Sequence, residues 1–177
     1  MYEKLFSMFL MATMVLSMFL GTVCYAESED SLNAQIAIVE EYLIKDENFV
    51  SFNLEKAISD GIDKEIIEIG ECINELSDAY NASNHNDKQL LRSIEVAVYG
   101  NYCGPNTPWN KKDAPIDTLD TYCMYHDLCY LSKGWGNKEC NRKFVQQLKS
   151  AISRGAIPKG KAMVVAKGAI AIFSKLS

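Results

Sequence analysis

Residues 120 to 130, DTYCMYHDLCY, constrain the fold of this 177-residue chain more than any other stretch. The run contains a proton acceptor, His126, a ligand for hard cations, Asp127, and two cysteines within about three helical turns. Residues three or four apart lie on one face of a helix, so Cys123, His126 and Tyr130 are predicted to share a stripe. Asp127 lies one step around the helix. The pattern therefore predicts a helix whose buried face carries the chemistry of the protein.

A turn-rich segment precedes this helix. Residues 99 to 106 read YGNYCGPN, a composition typical of a loop that exposes several backbone carbonyls. Carbonyl oxygens together with a carboxylate can bind a hard cation. A histidine beside an aspartate that can bind a cation is a compact arrangement for activating water against an ester.

The first 26 residues are predicted to be a secretory signal peptide. Lys4 is the only positive side chain among them, and residues 5 to 26 carry no charge. The segment ends in the small residue Ala26, after which a signal peptidase can cut. The protein is therefore expected to be secreted. The alternative is an uncleaved anchor, because the apolar run is long enough to span a bilayer.

Five cysteines follow the predicted signal peptide: Cys72, Cys103, Cys123, Cys129 and Cys140. Export favours disulfides, and the four between residues 103 and 140 allow three pairings that the sequence does not distinguish. Their spacing contains no C-x-x-C pair, which argues against zinc. Cys72 is left over, as a buried free thiol or as the site of an intermolecular disulfide.

Charge is distributed unevenly along the chain. Residues 1 to 139 carry all 23 acidic residues and ten of the 18 basic ones, whereas residues 140 to 177 carry the other eight basic residues. The basic end favours an anionic phospholipid surface as partner. The alternative is an ordinary amphipathic helix packed on the core. No nucleic-acid-binding motif accompanies the charge, so nucleic acid is excluded as a partner.

The mature chain is predicted to be mainly α-helical and divided into three segments. Residues 27–86 form an acidic helical extension, interpreted as a possible pro-region or docking module that masks the basic tail. Residues 87–156 form the catalytic core, and residues 157–177 form a basic amphipathic tail. No convincing long strand is found.

Hydrophobic spacing and capping residues place the helices. Residues 31 to 80 are predicted to contain two or three helices. The first of these is predicted to be capped by Ser31 and to run through Leu43. The later helices are placed from Asp87 to Val98, from Asp117 to a break at Gly134, from Lys138 through Ile152, and from Lys161 to Leu176.

The motif C-x-x-H-D-x-C-Y, preceded by Y-G-x-Y-C-G, resembles the secreted phospholipase A2 family over roughly residues 88 to 150. The resemblance implies two disulfide-linked antiparallel helices with a calcium-binding loop. It also implies the disulfides Cys103–Cys123 and Cys129–Cys140, and His126 as the general base. The implied Ca²⁺ ligands are the carbonyls of Tyr102, Gly104 and Asn106 and the carboxylate of Asp127.

One position departs from the family pattern. The family has a C-D pair on the third helix, and its aspartate orients the histidine, whereas this chain has Cys140-Asn141. An asparagine oxygen can accept the imidazole N–H, but it cannot offset the charge of an imidazolium. Tyr130 matches a family tyrosine that hydrogen-bonds the same group. The expectation is therefore reduced turnover, or an acid elsewhere in the chain that compensates.

Two functions follow from the resemblance. The first is a calcium-dependent phospholipase A2 that hydrolyses the sn-2 ester of glycerophospholipids with a water activated by His126. The alternative is a catalytically weak protein of the same fold that binds or perturbs membranes, because Asn141 stands where the family has aspartate.

Overall fold

The computed structural model describes residues 27–45, 50–84, 97–105 and 113–177. Its elements are, in chain order, α1 (Glu29–Glu41), β1 (Leu43–Lys45), β2 (Val50–Phe52), α2 (Leu54–Ser59), α3 (Lys64–Asn84), α4 (Thr118–Lys133), α5 (Lys138–Ser153) and α6 (Lys161–Lys175). The predicted mainly helical fold is confirmed. The predicted signal peptide, residues 87–96 of the helix predicted from Asp87 to Val98, and Asn106 lie outside the described residues. Ala97 and Val98 are described and are not helical, so the predicted end of that helix is wrong.

The helical hairpin of α4 and α5 begins where the sequence predicts. The Asp117 side chain caps α4 by accepting the backbone N–H of Asp120 at 2.9 Å. The Asn137 side chain caps α5 by accepting the N–H of Glu139 at 3.0 Å and that of Cys140 at 3.2 Å. Gly134, at φ 94°, ends α4 and lets the chain reverse. Short polar side chains satisfy the amides that a helix N-terminus leaves open, so these residues define the hairpin.

The N-terminal segment differs from the sequence prediction at two places. The cap of α1 is Ser28, not Ser31, because the Ser28 hydroxyl accepts the Ser31 N–H at 3.2 Å. Leu43 lies in β1 instead of α1, and pairs with Phe52 of β2 in an antiparallel hairpin. The strand is held to α3 because Asn74 accepts the N–H of Phe52 at 2.8 Å and donates to its carbonyl at 3.0 Å. The hydrogen bonds between Asn74 of α3 and Phe52 therefore stabilise this short strand.

The C-terminal helix α6 is part of the core. It packs against α3, α5 and α1. Its buried apolar side chains include Val165, Ala169, Ile170 and Ile172, and each large one buried contributes about 1.5–3 kcal/mol. Gly168 faces α3, where an added Cβ would lie 3.5 Å from Ile73. Of the two alternatives for this helix, the structure shows packing on the core.

Ionic contacts join the acidic segment to the basic end of the chain. The ammonium of Lys167, whose side chain is 3 % exposed, lies 2.7 Å from Glu65 and 3.0 Å from Glu27. It also donates to the side-chain oxygen of Gln35 at 2.6 Å. These four residues are termed the lysine cluster. Among the described residues, no helix is long and apolar enough to cross a membrane.

Candidate active site

Two disulfides connect the elements that carry the site. One joins Cys103 of the loop to Cys123 of α4. The other joins Cys129 of α4 to Cys140 of α5. This is the pairing that the resemblance implies. The loop, α4 and α5 are therefore covalently linked around one region.

The remaining cysteine of the described residues, Cys72, is a free and buried thiol on α3. Burial raises its pKa to about 12. Because the thiolate is the reactive form, this thiol is unreactive near neutral pH. A disulfide to a second chain would require Cys72 to leave the core.

The buried carboxylate of Asp120 holds the loop in place. It accepts the backbone N–H of Asn101 at 3.0 Å, that of Tyr102 at 2.8 Å and that of Ile116 at 3.0 Å. Asp120 has no exposed surface. Gly100, at φ 58°, allows the close approach, since a Cβ there would lie 2.4 Å from the Asp120 carboxyl carbon. Three charge-assisted hydrogen bonds to Asp120 thus fix the backbone conformation of the loop.

His126 lies inside an aromatic cluster. Its ring stacks on Phe144 at 4.4 Å between centroids, and it meets the edge of Phe173 at 4.7 Å and Tyr130 at 4.2 Å. Only 6 % of the residue is exposed. Burial lowers its pKa to about 4, although the hydrogen bond to Asn141 acts in the opposite direction. The imidazole is therefore neutral near pH 7, the form that can accept a proton.

Asn141 connects the histidine to two other groups. Its Oδ1 lies 3.1 Å from His126 Nε2 and also accepts the hydroxyl hydrogen of Tyr130. Its Nδ2 donates to the backbone carbonyl of Leu176 at 2.8 Å. Asn141 is 1 % exposed. His126, Tyr130, Asn141 and the Leu176 carbonyl are termed the histidine cluster.

A cavity of about 330 Å³ opens beside this cluster. Its lining includes His126 and Asp127 and the loop residues Tyr102 and Gly104. The rest of the lining is largely apolar and comes from several elements: Val50 of β2, Leu76 of α3, Pro105 of the loop, Trp135 of the turn after α4, Phe144 of α5, and Val165, Ala169, Ile172 and Phe173 of α6. The cavity thus brings a base and residues that carry oxygen ligands together with a largely apolar lining.

The residues around the cavity fit a calcium ion by the chemistry of their donors. Tyr102, Gly104 and Asp127 all line the cavity, and they offer two backbone carbonyls and one carboxylate. Hard cations prefer such oxygen ligands. No group of three or more His, Cys, Asp or Glu side chains that could hold a metal occurs in the part of the chain that the structure describes. Backbone carbonyls would therefore supply most of the ligands.

The structure brings together the predicted site residues that it describes: His126, Asp127, Tyr130, Asn141, Tyr102 and Gly104. Sequence reasoning missed three contributors, which are Asp120, Phe173 and the carbonyl of Leu176. Asp120 had a signal, because it lies one turn before Cys123 and so close to any loop bonded to that cysteine. The last two come from α6 and the residue after it, and the sequence left the position of this helix open.

Comparison with known proteins finds partial similarity to phospholipases A2. The chain is 41 % identical over 49 residues to phospholipase A2-alpha of Arabidopsis thaliana, covering 27 % of this chain and 33 % of that protein. It is 44 % identical over 36 residues to phospholipase A2 SSD387 of Scolopendra dehaani, covering 20 % and 22 %. It is 34 % identical over 59 residues to the protein named "Probable phospholipase A2 homolog 1" of Oryza sativa subsp. japonica, covering 33 % and 43 %.

The chain therefore spans less than half the length of each of these relatives. No family model matches the chain, and no solved structure matches it. The partial matches support a relationship to phospholipases A2. The helical fold with two disulfides is consistent with that relationship.

Proposed function

We propose that this protein is a calcium-dependent phospholipase A2 that hydrolyses the sn-2 ester of glycerophospholipids to a lysophospholipid and a fatty acid. The observation that carries the proposal is the buried contact of His126 Nε2 with Asn141 Oδ1 at 3.1 Å, in the lining of a largely apolar cavity that Asp127, Tyr102 and Gly104 also line. The partial similarity to proteins named phospholipase A2 supports the same reaction.

His126 is the proposed base. It would take a proton from water as the water attacks the ester carbonyl, and no serine nucleophile is needed. The pKa of about 4 keeps the ring neutral at pH 7 but makes it a weak base. Asn141 accepts the ring N–H without offsetting the positive charge that develops. Lower turnover than in family members that have aspartate at this position is therefore expected.

Calcium is the proposed cofactor. The residues that would hold it are Tyr102 and Gly104 through their carbonyls and Asp127 through its carboxylate, with Asn106 as a further ligand outside the described residues. When bound, the ion would polarise the ester carbonyl and stabilise the oxyanion. Asp120 would support the ion indirectly, because it orders the backbone of the loop.

Calcium binding has a test independent of activity. Isothermal titration with CaCl₂ is expected to show binding that Asp127→Asn weakens by tenfold or more, on the order of 1.4 kcal/mol. The matched control is Asp78→Asn, an exposed carboxylate on α3. If Asp127→Asn and Asp78→Asn bind calcium with equal affinity, Asp127 is not a calcium ligand.

An anionic phospholipid surface is the proposed partner. Four exposed apolar residues of α4 and the following turn would contact the lipid: Tyr125, Leu128, Leu131 and Trp135. Trp135 is 66 % exposed and also lines the cavity. Lys138 is an exposed cation in the same part of the chain, and Lys133 is exposed as well but pairs with Glu139 at 2.7 Å. Amphipathic rings and cations suit an anionic interface.

Hydrolysis is tested by fatty-acid release from mixed phosphatidylcholine and phosphatidylglycerol vesicles. We expect release that requires calcium, stops with a chelator, and falls by about 10²–10⁴ in His126→Gln. The matched control is His85→Gln, the other histidine of the chain. Release that survives the loss of His126 would refute the mechanism.

A second candidate is a catalytically weak protein of the same fold that binds or perturbs membranes. The neutral amide of Asn141 favours it, because the group that contacts His126 Nε2 is an amide oxygen and not a carboxylate. Vesicle binding without fatty-acid release, with and without calcium, would support this candidate. Trp135→Ser is expected to weaken binding under either function.

Secretion is proposed from the predicted signal peptide. The two disulfides fit an oxidising compartment. Mass spectrometry of the exported protein should find a chain that begins at Glu27. Retention in the membrane with the first 26 residues intact would favour the anchored alternative.

A further inference from the structure

The last turn of the chain reaches into the proposed active site. The Leu176 carbonyl follows the end of α6 and accepts a hydrogen bond from Asn141 Nδ2 at 2.8 Å. The same helix places Phe173 against the ring of His126 at 4.7 Å. Leu176 lies 35 residues from Asn141 in sequence, so only the packing of α6 on α5 brings the two groups together.

This contact decides how the Asn141 amide is oriented. A backbone carbonyl can only accept hydrogen bonds, so the amide atom that faces Leu176 must be the NH₂ group. The amide oxygen then faces His126 Nε2 and the Tyr130 hydroxyl. In the flipped orientation, two acceptor oxygens would meet at 2.8 Å in a buried site, which is costly.

The amide orientation in turn decides the tautomer of His126. An amide oxygen has no hydrogen to donate, so the ring nitrogen that it contacts must carry the proton. His126 is therefore in the Nε2–H form, and its lone pair is on Nδ1. That unprotonated nitrogen is the one that can accept a proton from water.

We propose that the Leu176 carbonyl, acting through Asn141, is a positioning group that sets the tautomer of His126 and makes asparagine the fitting residue at position 141. The inference rests on the proposed function, because it assigns Nδ1 of His126 as the base. An aspartate would also accept the ring N–H, and it would offset the charge of an imidazolium. It would, however, present a carboxylate oxygen to the Leu176 carbonyl, where no hydrogen is available.

The tautomer is measured first, because it needs no substrate. In protein with ¹⁵N-labelled histidine, the ring nitrogen shifts distinguish Nε2–H from Nδ1–H, and His85→Gln assigns the signals of His126. We expect Nε2–H in the full chain and a shift toward Nδ1–H in a chain that ends at Lys175. The matched control is Leu176→Ala, which keeps the backbone carbonyl and should keep the Nε2–H form.

The second experiment measures activity. The effect of Asn141→Asp on kcat is compared in the full chain and in the chain that ends at Lys175. In the full chain we expect Asn141→Asp to lower kcat by about tenfold, the scale of one unsatisfied buried acceptor. In the shortened chain the same substitution should leave kcat equal or raise it. Circular dichroism checks that each variant is folded. If Asn141→Asp does not fold, the comparison of the His126 tautomer in Leu176→Ala and in the shortened chain still tests the inference.

Three results would overturn the inference. They are an Nδ1–H ring in the full chain, an unchanged tautomer in the shortened chain, and a rise in kcat for Asn141→Asp at full length. If none of the chains releases fatty acid, the proposed function fails. The tautomer measurement still decides whether Leu176 positions the histidine.

Discussion

Helix α6 and the residue that follows it contribute to two polar clusters that differ in charge. In the lysine cluster it supplies a charged side chain, Lys167, which meets the carboxylates of Glu27 and Glu65. In the histidine cluster it supplies a backbone carbonyl, that of Leu176, to a neutral amide. The first balances charge and joins the ends of the chain. The second contains no opposite charge, and burial lowers the pKa of its histidine to about 4.

The difference separates a structural polar cluster from one suited to chemistry. A buried cation with two carboxylates within hydrogen-bond distance has its charge compensated, so it stabilises a contact. A buried imidazole without a counter-charge must remain neutral, so it keeps the capacity to accept a proton. The same helix therefore ties the fold together at Lys167 and completes the proposed site near its C-terminus.

The largest effect on stability is expected at Asp120, which shapes the loop beside the histidine cluster. Asp120→Asn places an NH₂ group among backbone N–H donors, and should lower the free energy of unfolding by about 3 kcal/mol. Calcium affinity should fall as well, because the loop loses its anchor. Urea denaturation and calorimetric titration measure the two effects. The control is Asp113→Asn, whose exposed side chain should change stability by under about 0.5 kcal/mol.

Lys167→Met tests whether the lysine cluster is structural. Breaking a fully buried ion pair costs about 3–5 kcal/mol, and we expect about 2 kcal/mol here because Glu27 and Glu65 are partly exposed. Fatty-acid release per folded molecule should not change. Lys159→Met, an exposed position in the same basic segment, is the matched control. A loss of kcat in Lys167→Met without a loss of stability would break the comparison between the clusters.

Acid should destabilise the protein through His126. Its folded pKa of about 4 lies below the usual 6.5, so the unfolded chain binds the proton first as the pH falls. The stability contribution is fully present above pH 6.5 and is lost as the pH falls toward 4. In chelator, the loss between pH 7 and pH 5 should be about 2 kcal/mol.

The contribution of His126 is isolated by subtraction. Thermal denaturation of the original protein and of His126→Gln at both pH values separates this term from that of the carboxylates. The variant should lose less stability on acidification than the original protein. An equal loss in both would mean that the ring is protonated or exposed in the folded state.

The smallest effect is expected at Cys72, which belongs to neither cluster. Cys72→Ala should cost about 1 kcal/mol for the lost packing of one sulfur atom and should leave activity unchanged. Because the thiol is buried with a pKa of about 12, we expect a monomer band on a non-reducing gel. A dimer band that Cys72→Ala removes would establish the intermolecular disulfide instead.

Much of the helical framework was predictable because its signals are local. Asp117 and Lys138 mark the starts of α4 and α5 correctly, since capping side chains bond within a few residues. The N-terminal region was less predictable. Ser28 and Ser31 are equally good caps, and Leu43 left the helix because strand pairing with Phe52 competes with helical spacing.

In the candidate site, too, the local features were predictable from the sequence and the tertiary contacts were not. The sequence by itself determined that His126 and Asp127 lie on one helix and that a loop rich in carbonyls precedes them, because helical spacing and turn composition are properties of short segments. Only the tertiary structure decided that Asp120 anchors the loop, that Phe173 covers the imidazole, and that Leu176 orients Asn141. These contacts depend on where α6 packs. Burial of its apolar face against α3 and α5 determines that position. The spacing of residues in the sequence does not predict where the helix packs.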